Sequence, residues 1–148
     1  MARCDFLIIG IGNAGRGDDG LGWAFADRLA HLAPDHLQLE YRYQLVPEDA
    51  ELLTHFSRVL FADASQASLP DGFALELCLP DTDAGLYTHQ QTPGAILFLS
   101  SELYGHRPQA HLLTIQGCEW GFDTQLSALA RQNLERAFAG FQNFYGMP

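Results

Sequence analysis

The stretch Asp5–Gly22, DFLIIGIGNAGRGDDGLG, decides the fold. Asp5–Gly10 is an apolar run of strand length that ends in glycine, the pattern of a buried strand. A glycine-rich loop follows. Asp18–Ala33 then reads as a helix, because Leu21, Phe25, Leu29 and Leu32 recur at helical spacing on one face and Pro34 stops it. Strand, glycine loop and helix in that order open an α/β protein.

The alternation continues outward from this unit. Leu37–Tyr43 alternates as a strand with one wetter face, and Pro47–Thr54 is a short helix with Pro at its start and acids in its first turn. Ser57–Asp63 and Phe73–Leu79 are the next strands. Thr92–Tyr104 is a helix capped by Thr92, with Pro93 at its first position and Gly105 past its end. Ala110–Gln116 is a fifth strand, and Gln125–Phe141 a last helix with Leu126, Leu129, Ala130, Leu134, Ala137 and Phe141 on its apolar side. Five strands and four helices in alternation predict a three-layer α/β/α sandwich. The connection Ala64–Gly72 is about nine residues, and a parallel crossover needs about a dozen. The fourth strand is therefore expected to run antiparallel.

The 148 residues are expected to form a single domain, 1–148. A chain of this length buries roughly 68–70% of its unfolded surface and needs no disulfide or structural metal. Eight basic residues face eighteen acidic ones, for a net charge of −10, and all the basic residues are Arg. Without lysine, Schiff-base, Walker-A and kinase-type chemistry are excluded. Non-specific binding to nucleic acid and to anionic membrane is disfavoured by the same charge. The opening MARCDFLIIGIGNAG does not read as a signal peptide, and no apolar run is long enough to span a membrane. Cys4, Cys78 and Cys118 are odd in number and widely spaced, which fits reduced thiols in the cytoplasm.

Gly10–Gly15 matches G-x-G-x-x-G after a strand, so a dinucleotide site has to be weighed. The loop continues into Asp18 and Asp19, which put carboxylates where a pyrophosphate would lie. The second strand ends Tyr41-Arg42-Tyr43, without the acid that binds a ribose. Asp18 reads as the N-cap of the helix, accepting from N–H groups two or three residues on, and leaves Asp19 free to face a crevice. Spacing alone leaves open that both acids only cap the helix and complement its dipole. Asp63 ends the third strand, at the carboxyl edge where α/β ligands bind, and capping the next turn is its alternative role. If the first and third strands are neighbours, Asp19 and Asp63 meet across one crevice, and a shared cation would relieve their repulsion. No H-E-x-x-H and no G-x-S-x-G occurs, and Cys78 reads as core.

The run GIGNAGRGDDGLGWAFADRL resembles the opening of the hydrogenase maturation endopeptidases, which process the large subunit of [NiFe]-hydrogenases. Their G-x-G-N and D-[DE]-G-x-G elements correspond here to Gly10, Gly12, Asn13, Asp18, Asp19, Gly20 and Gly22. Phe61-Ala62-Asp63-Ala64 resembles the family's strand ending in Asp, and His89-Gln90-Gln91-Thr92-Pro93 its H-x-x-[ST]-P segment. The loop Ala14-Gly15-Arg16 is less apolar than is common there, and Gly117 stands where Pro is frequent.

The resemblance implies a mixed sheet of order 2-1-3-5-4 with strand 4 antiparallel. It implies that Asp19, Asp63 and His89 contact a metal and form the catalytic site. That metal is nickel carried in by the large-subunit precursor, other divalent ions being possible in vitro, and the reaction removes a C-terminal extension. In this scheme the metal polarises the scissile carbonyl or activates water, and Asp19 or Asp63 handles the proton. The expected protein is a monomeric cytoplasmic endopeptidase. The alternatives are a non-cleaving, chaperone-like sensor of nickel-loaded precursor and a dinucleotide-binding α/β protein.

Overall fold

A computed structural model describes residues 5–32, 35–82 and 91–148. The elements, in chain order, are β1 (Phe6–Ile11), α1 (Leu21–Ala30), β2 (Leu37–Arg42), α2 (Asp49–Leu52), β3 (Arg58–Ser65), β4 (Phe73–Leu77), α3 (Pro93–Tyr104), β5 (Gln109–Gln116) and α4 (Ala128–Tyr145). Short 3-10 turns at Gly17–Gly20 and Leu53–His55 precede α1 and follow α2. The five strands form one sheet in the order β2-β1-β3-β5-β4. All pairings are parallel except β4 with β5, which is antiparallel. The sheet order is the one the resemblance implies, and the reversed strand is the one the short Ala64–Gly72 connection predicts.

The layers follow from the two-residue period of β1. Phe6 and Ile8 face one side, where they meet Leu21, Phe25 and Leu29 of α1 and Leu134, Phe138 and Phe141 of α4. Leu7 and Ile9 face the other side, against Ala50 of α2 and Ile96 and Leu97 of α3. β3 repeats the pattern, with Leu60 and Ala62 on the first face and Val59 and Phe61 on the second. Every one of these side chains is buried, so both faces of the central strands are dry, as parallel strands require.

One close approach sets the position of α1. A Cβ on Gly22 would run into the carbonyl oxygens of Ile11 and Ala62. Only a residue without a side chain lets the first turn of the helix rest on β1 and β3.

Several boundaries differ from the sequence reading. α1 ends at Ala30, so Leu32 lies past it and is 47% exposed rather than on the buried face. β3 runs two residues beyond Asp63, to Ser65, because Asp63, Ala64 and Ser65 keep pairing with Thr114, Ile115 and Gln116 of β5. The last helix starts at Ala128, behind Ser127, whose side chain accepts the Ala130 N–H. Leu126 therefore precedes the helix, and Leu129 is exposed. β4 stops at Leu77, which leaves Cys78 just beyond it, half-buried against the α2–α3 layer. Burial, with the Asp81 charge, pushes that thiol up to about 11, so it stays protonated at neutral pH. No helix among the described residues is long and apolar enough to cross a membrane.

Candidate active site

The site begins where β1 leaves β3. Their pairing ends at Gly10 with Ala62, while β1 continues with β2 as far as Ile11 and Arg42. A crevice opens at that divergence, as expected at the carboxyl edge of such a sheet. The cleft has a volume of about 260 Å³ and is lined by Ile11, Gly12, Asp19 and Asp63, with Tyr43, Gln44 and Leu45 on one wall and Gln91, Thr92 and Pro93 on another.

The loop Gly12–Asp19 aims Asp19 into this cleft. Gly12 has φ +141°, a conformation side-chain-bearing residues avoid, and a Cβ there would strike the Asp19 carbonyl oxygen. The Asn13 N–H donates to both the Asp19 carbonyl (3.1 Å) and its Oδ2 (3.0 Å). Asn13 Oδ1 in turn accepts the Gly15 N–H at 2.8 Å, an Asx turn that fixes the loop. Asn13 and the glycines thus shape the loop around Asp19.

Asp63 enters from β3, one residue past the last pair with β1. Its Oδ1 accepts the N–H of its own neighbour Ala64 at 2.8 Å. Burial pushes its carboxyl up to about 6; the Ala64 N–H opposes this and the Asp19 charge reinforces it. The two aspartates therefore feel each other across the cleft, the juxtaposition expected from adjacent first and third strands. Among the described residues no three His, Cys, Asp or Glu side chains come together as a metal-holding group; the two carboxylates stand as a pair. His89 lies outside the described residues.

Asp18 does not do what its spacing suggested. It makes no cap of its own helix. It is fully buried, and its carboxylate reaches the β5–α4 connection instead, accepting N–H groups of Cys118 (2.7 Å), Glu119 (3.0 Å) and Ser127 (2.8 Å) and the Ser127 hydroxyl (2.7 Å). Burial by itself would raise its pKa; the donors outweigh burial and hold the carboxyl below its ordinary value. Adjacent acids thus divide their work: Asp18 ties two loops together, and Asp19 faces the cleft.

The architecture has close counterparts among solved structures. The hydrogenase maturating endopeptidase HybD from E. coli superimposes with a TM-score of 0.72 at 17% identity, over 94% of this chain and 90% of that one. The [NiFe] hydrogenase maturation protease HycI from Thermococcus kodakarensis gives 0.70 at 25% identity, over 95% and 91%. The hydrogenase 2 maturation peptidase from a Thaumarchaeota archaeon gives 0.70 at 19% identity, over 97% and 99%. This chain is built like the hydrogenase maturation endopeptidases. No family model and no curated protein matches the sequence. The likeness to the maturation endopeptidases is one of whole fold.

The walls of the cleft were not legible as such in the sequence. Tyr43–Leu45 is held by a brace: Asp49 accepts from Arg42 Nε (3.1 Å) and from the Val46 N–H (3.0 Å). The Arg42 carbonyl accepts the Gly12 N–H and the Trp23 indole N–H, each at 2.9 Å. Leu45 then forms an antiparallel bridge with Gln91. The acids in the first turn of α2 were visible beforehand, but that one of them pairs with the end of β2 was not.

Proposed function

We propose that this protein is an endopeptidase that trims the C-terminal extension of a nickel-loaded [NiFe]-hydrogenase large-subunit precursor in the cytoplasm. One observation carries the reading: Asp19 and Asp63 share a cleft at the divergence of β1 and β3, where burial, reinforced by the Asp19 charge, lifts Asp63 to about 6. Two carboxylates lining one cleft suit a divalent ion delivered by a substrate. His89, carried over from the H-x-x-[ST]-P resemblance, is the third contact in this reading. The fold shared with named maturation endopeptidases and proteases supports it.

The nickel is substrate here, brought in by the precursor. Contact with Asp19 and Asp63 reports that the metal has been loaded and brings the scissile peptide to the cleft. A water molecule then attacks the peptide carbonyl. Asp63, ionised at neutral pH, takes the water proton and returns it to the departing amine. The products are a new carboxylate on the mature subunit and a free extension peptide.

The test mixes the protein with nickel-loaded and nickel-free precursor and follows both by intact mass spectrometry. The loaded precursor is expected to lose its extension and the nickel-free one to keep it. Asp63→Asn is expected to slow trimming by roughly a hundredfold or more, the usual worth of a positioned acid–base group. A stable complex with no loss of mass would replace the peptidase with a non-cutting sensor. Full trimming by Asp63→Asn would remove that residue from the chemistry.

A further inference from the structure

Gln91 lines the cleft with the two aspartates, and the chemistry above does not use it. Its backbone is held in place. It forms the antiparallel bridge to the buried Leu45, and the next residue, Thr92, caps α3 by accepting the Ala95 N–H at 3.0 Å. Its side-chain oxygen is uncommitted by contrast: Oε1 is shut off from solvent and accepts no hydrogen bond among the described residues. Buried acceptors are almost always paired, because leaving one bare weakens the fold. The other bare buried side-chain oxygen among the described residues, Ser100 Oγ, belongs to the middle of α3 and does not line the cleft.

An amide oxygen waits for either a cation or an N–H donor. The aspartates already offer charge to a cation. A peptide whose scissile bond lies at those aspartates must run its flanking backbone along the cleft walls, and each residue of it presents an N–H. We propose that Gln91 is a specificity contact whose Oε1 accepts a backbone N–H of the precursor peptide beside the scissile bond. Oε1 gives up no hydrogen bond among the described residues when the side chain turns it toward the cleft. The inference rests on the peptidase reading given above.

The experiment compares wild type with Gln91→Leu, which keeps the volume and removes both polar ends. Trimming kinetics on nickel-loaded precursor and thermal melts are measured together. The expected result is a KM raised roughly three- to tenfold, the worth of one hydrogen bond, with kcat retained. The variant's Tm is expected to equal or exceed that of wild type, because the bare oxygen has gone. An unchanged KM overturns the proposal, as does a fall in kcat alone or a raised KM accompanied by a lower Tm. Wild type serves as the separate arm: if it trims and Gln91→Leu is identical, only the role of Gln91 fails, whereas a wild type that trims nothing removes the peptidase reading and this contact with it.

Discussion

Replacing Asp63 by Asn should make the protein more stable, and the gain should depend on pH. The carboxyl of Asp63 is displaced from 3.8 to about 6, chiefly by burial. Between those two values the folded chain holds a proton that the unfolded chain has released. Wild type therefore loses stability as pH rises through that window, and Asp63→Asn does not. Linkage gives a cost of roughly 3 kcal/mol to wild type at about pH 8, and roughly 1 kcal/mol at about pH 4.5. A chain of this size shifts its Tm by about 3 °C per kcal/mol. The variant should melt about 9 °C above wild type at the higher pH and about 3 °C above at the lower. Asn keeps an oxygen for the Ala64 N–H, so that bond survives the exchange. Thermal melts of both proteins by circular dichroism at the two pH values measure the gap. A gap that stays constant would refute the linkage argument, and so would a variant that melts below wild type near pH 8. A residue that weakens the fold in its ionised state is what a site kept for chemistry looks like.

Two other substitutions test how the cleft is held. Asp18→Ala strips the acceptor from three backbone N–H groups and one hydroxyl, and should lower stability by at least about 3 kcal/mol in urea unfolding at neutral pH. Because its folded pKa is depressed, the stability Asp18 contributes is complete above the unfolded value of 3.8 and disappears as pH falls through the lower folded value; the deficit of the variant should shrink in acid accordingly. Gly22→Ala drives a methyl group into the Ile11 and Ala62 carbonyls and should cost about 1–3 kcal/mol or more, read as a lowered Tm, with α1 displaced from the sheet edge.

The sequence carried most of the scaffold because its signals are local. The short Ala64–Gly72 connection dictated the reversed strand, and Thr92, Pro93 and Gly105 bounded α3 where the structure has it. Asp19 and Asp63 were also legible as partners, since adjacency of β1 and β3 puts the ends of both elements at one crevice. Asp18 was misread for the opposite reason. Its partners lie a hundred or more residues later, at Cys118, Glu119 and Ser127, and no spacing rule reports a contact that only tertiary packing creates. The start of α4 moved with it, because Ser127 is engaged by Asp18 and caps the helix at once. Gln91 gave no signal at all; a glutamine before a helix cap is unremarkable until Leu45 is found beside it.

The Asp18 tether has a bearing on engineering. The connection from Cys118 to Ser127 is the stretch a designer would first exchange to redirect such a protein toward another target, since it runs over the surface between two rigid elements. Here that connection is moored to the residue preceding Asp19. A transplant that altered the distance between Cys118 and Ser127 would drag on the mooring and move the neighbouring carboxylate with it, so new selectivity would be gained at the expense of the reaction unless both loops were exchanged as a matched set.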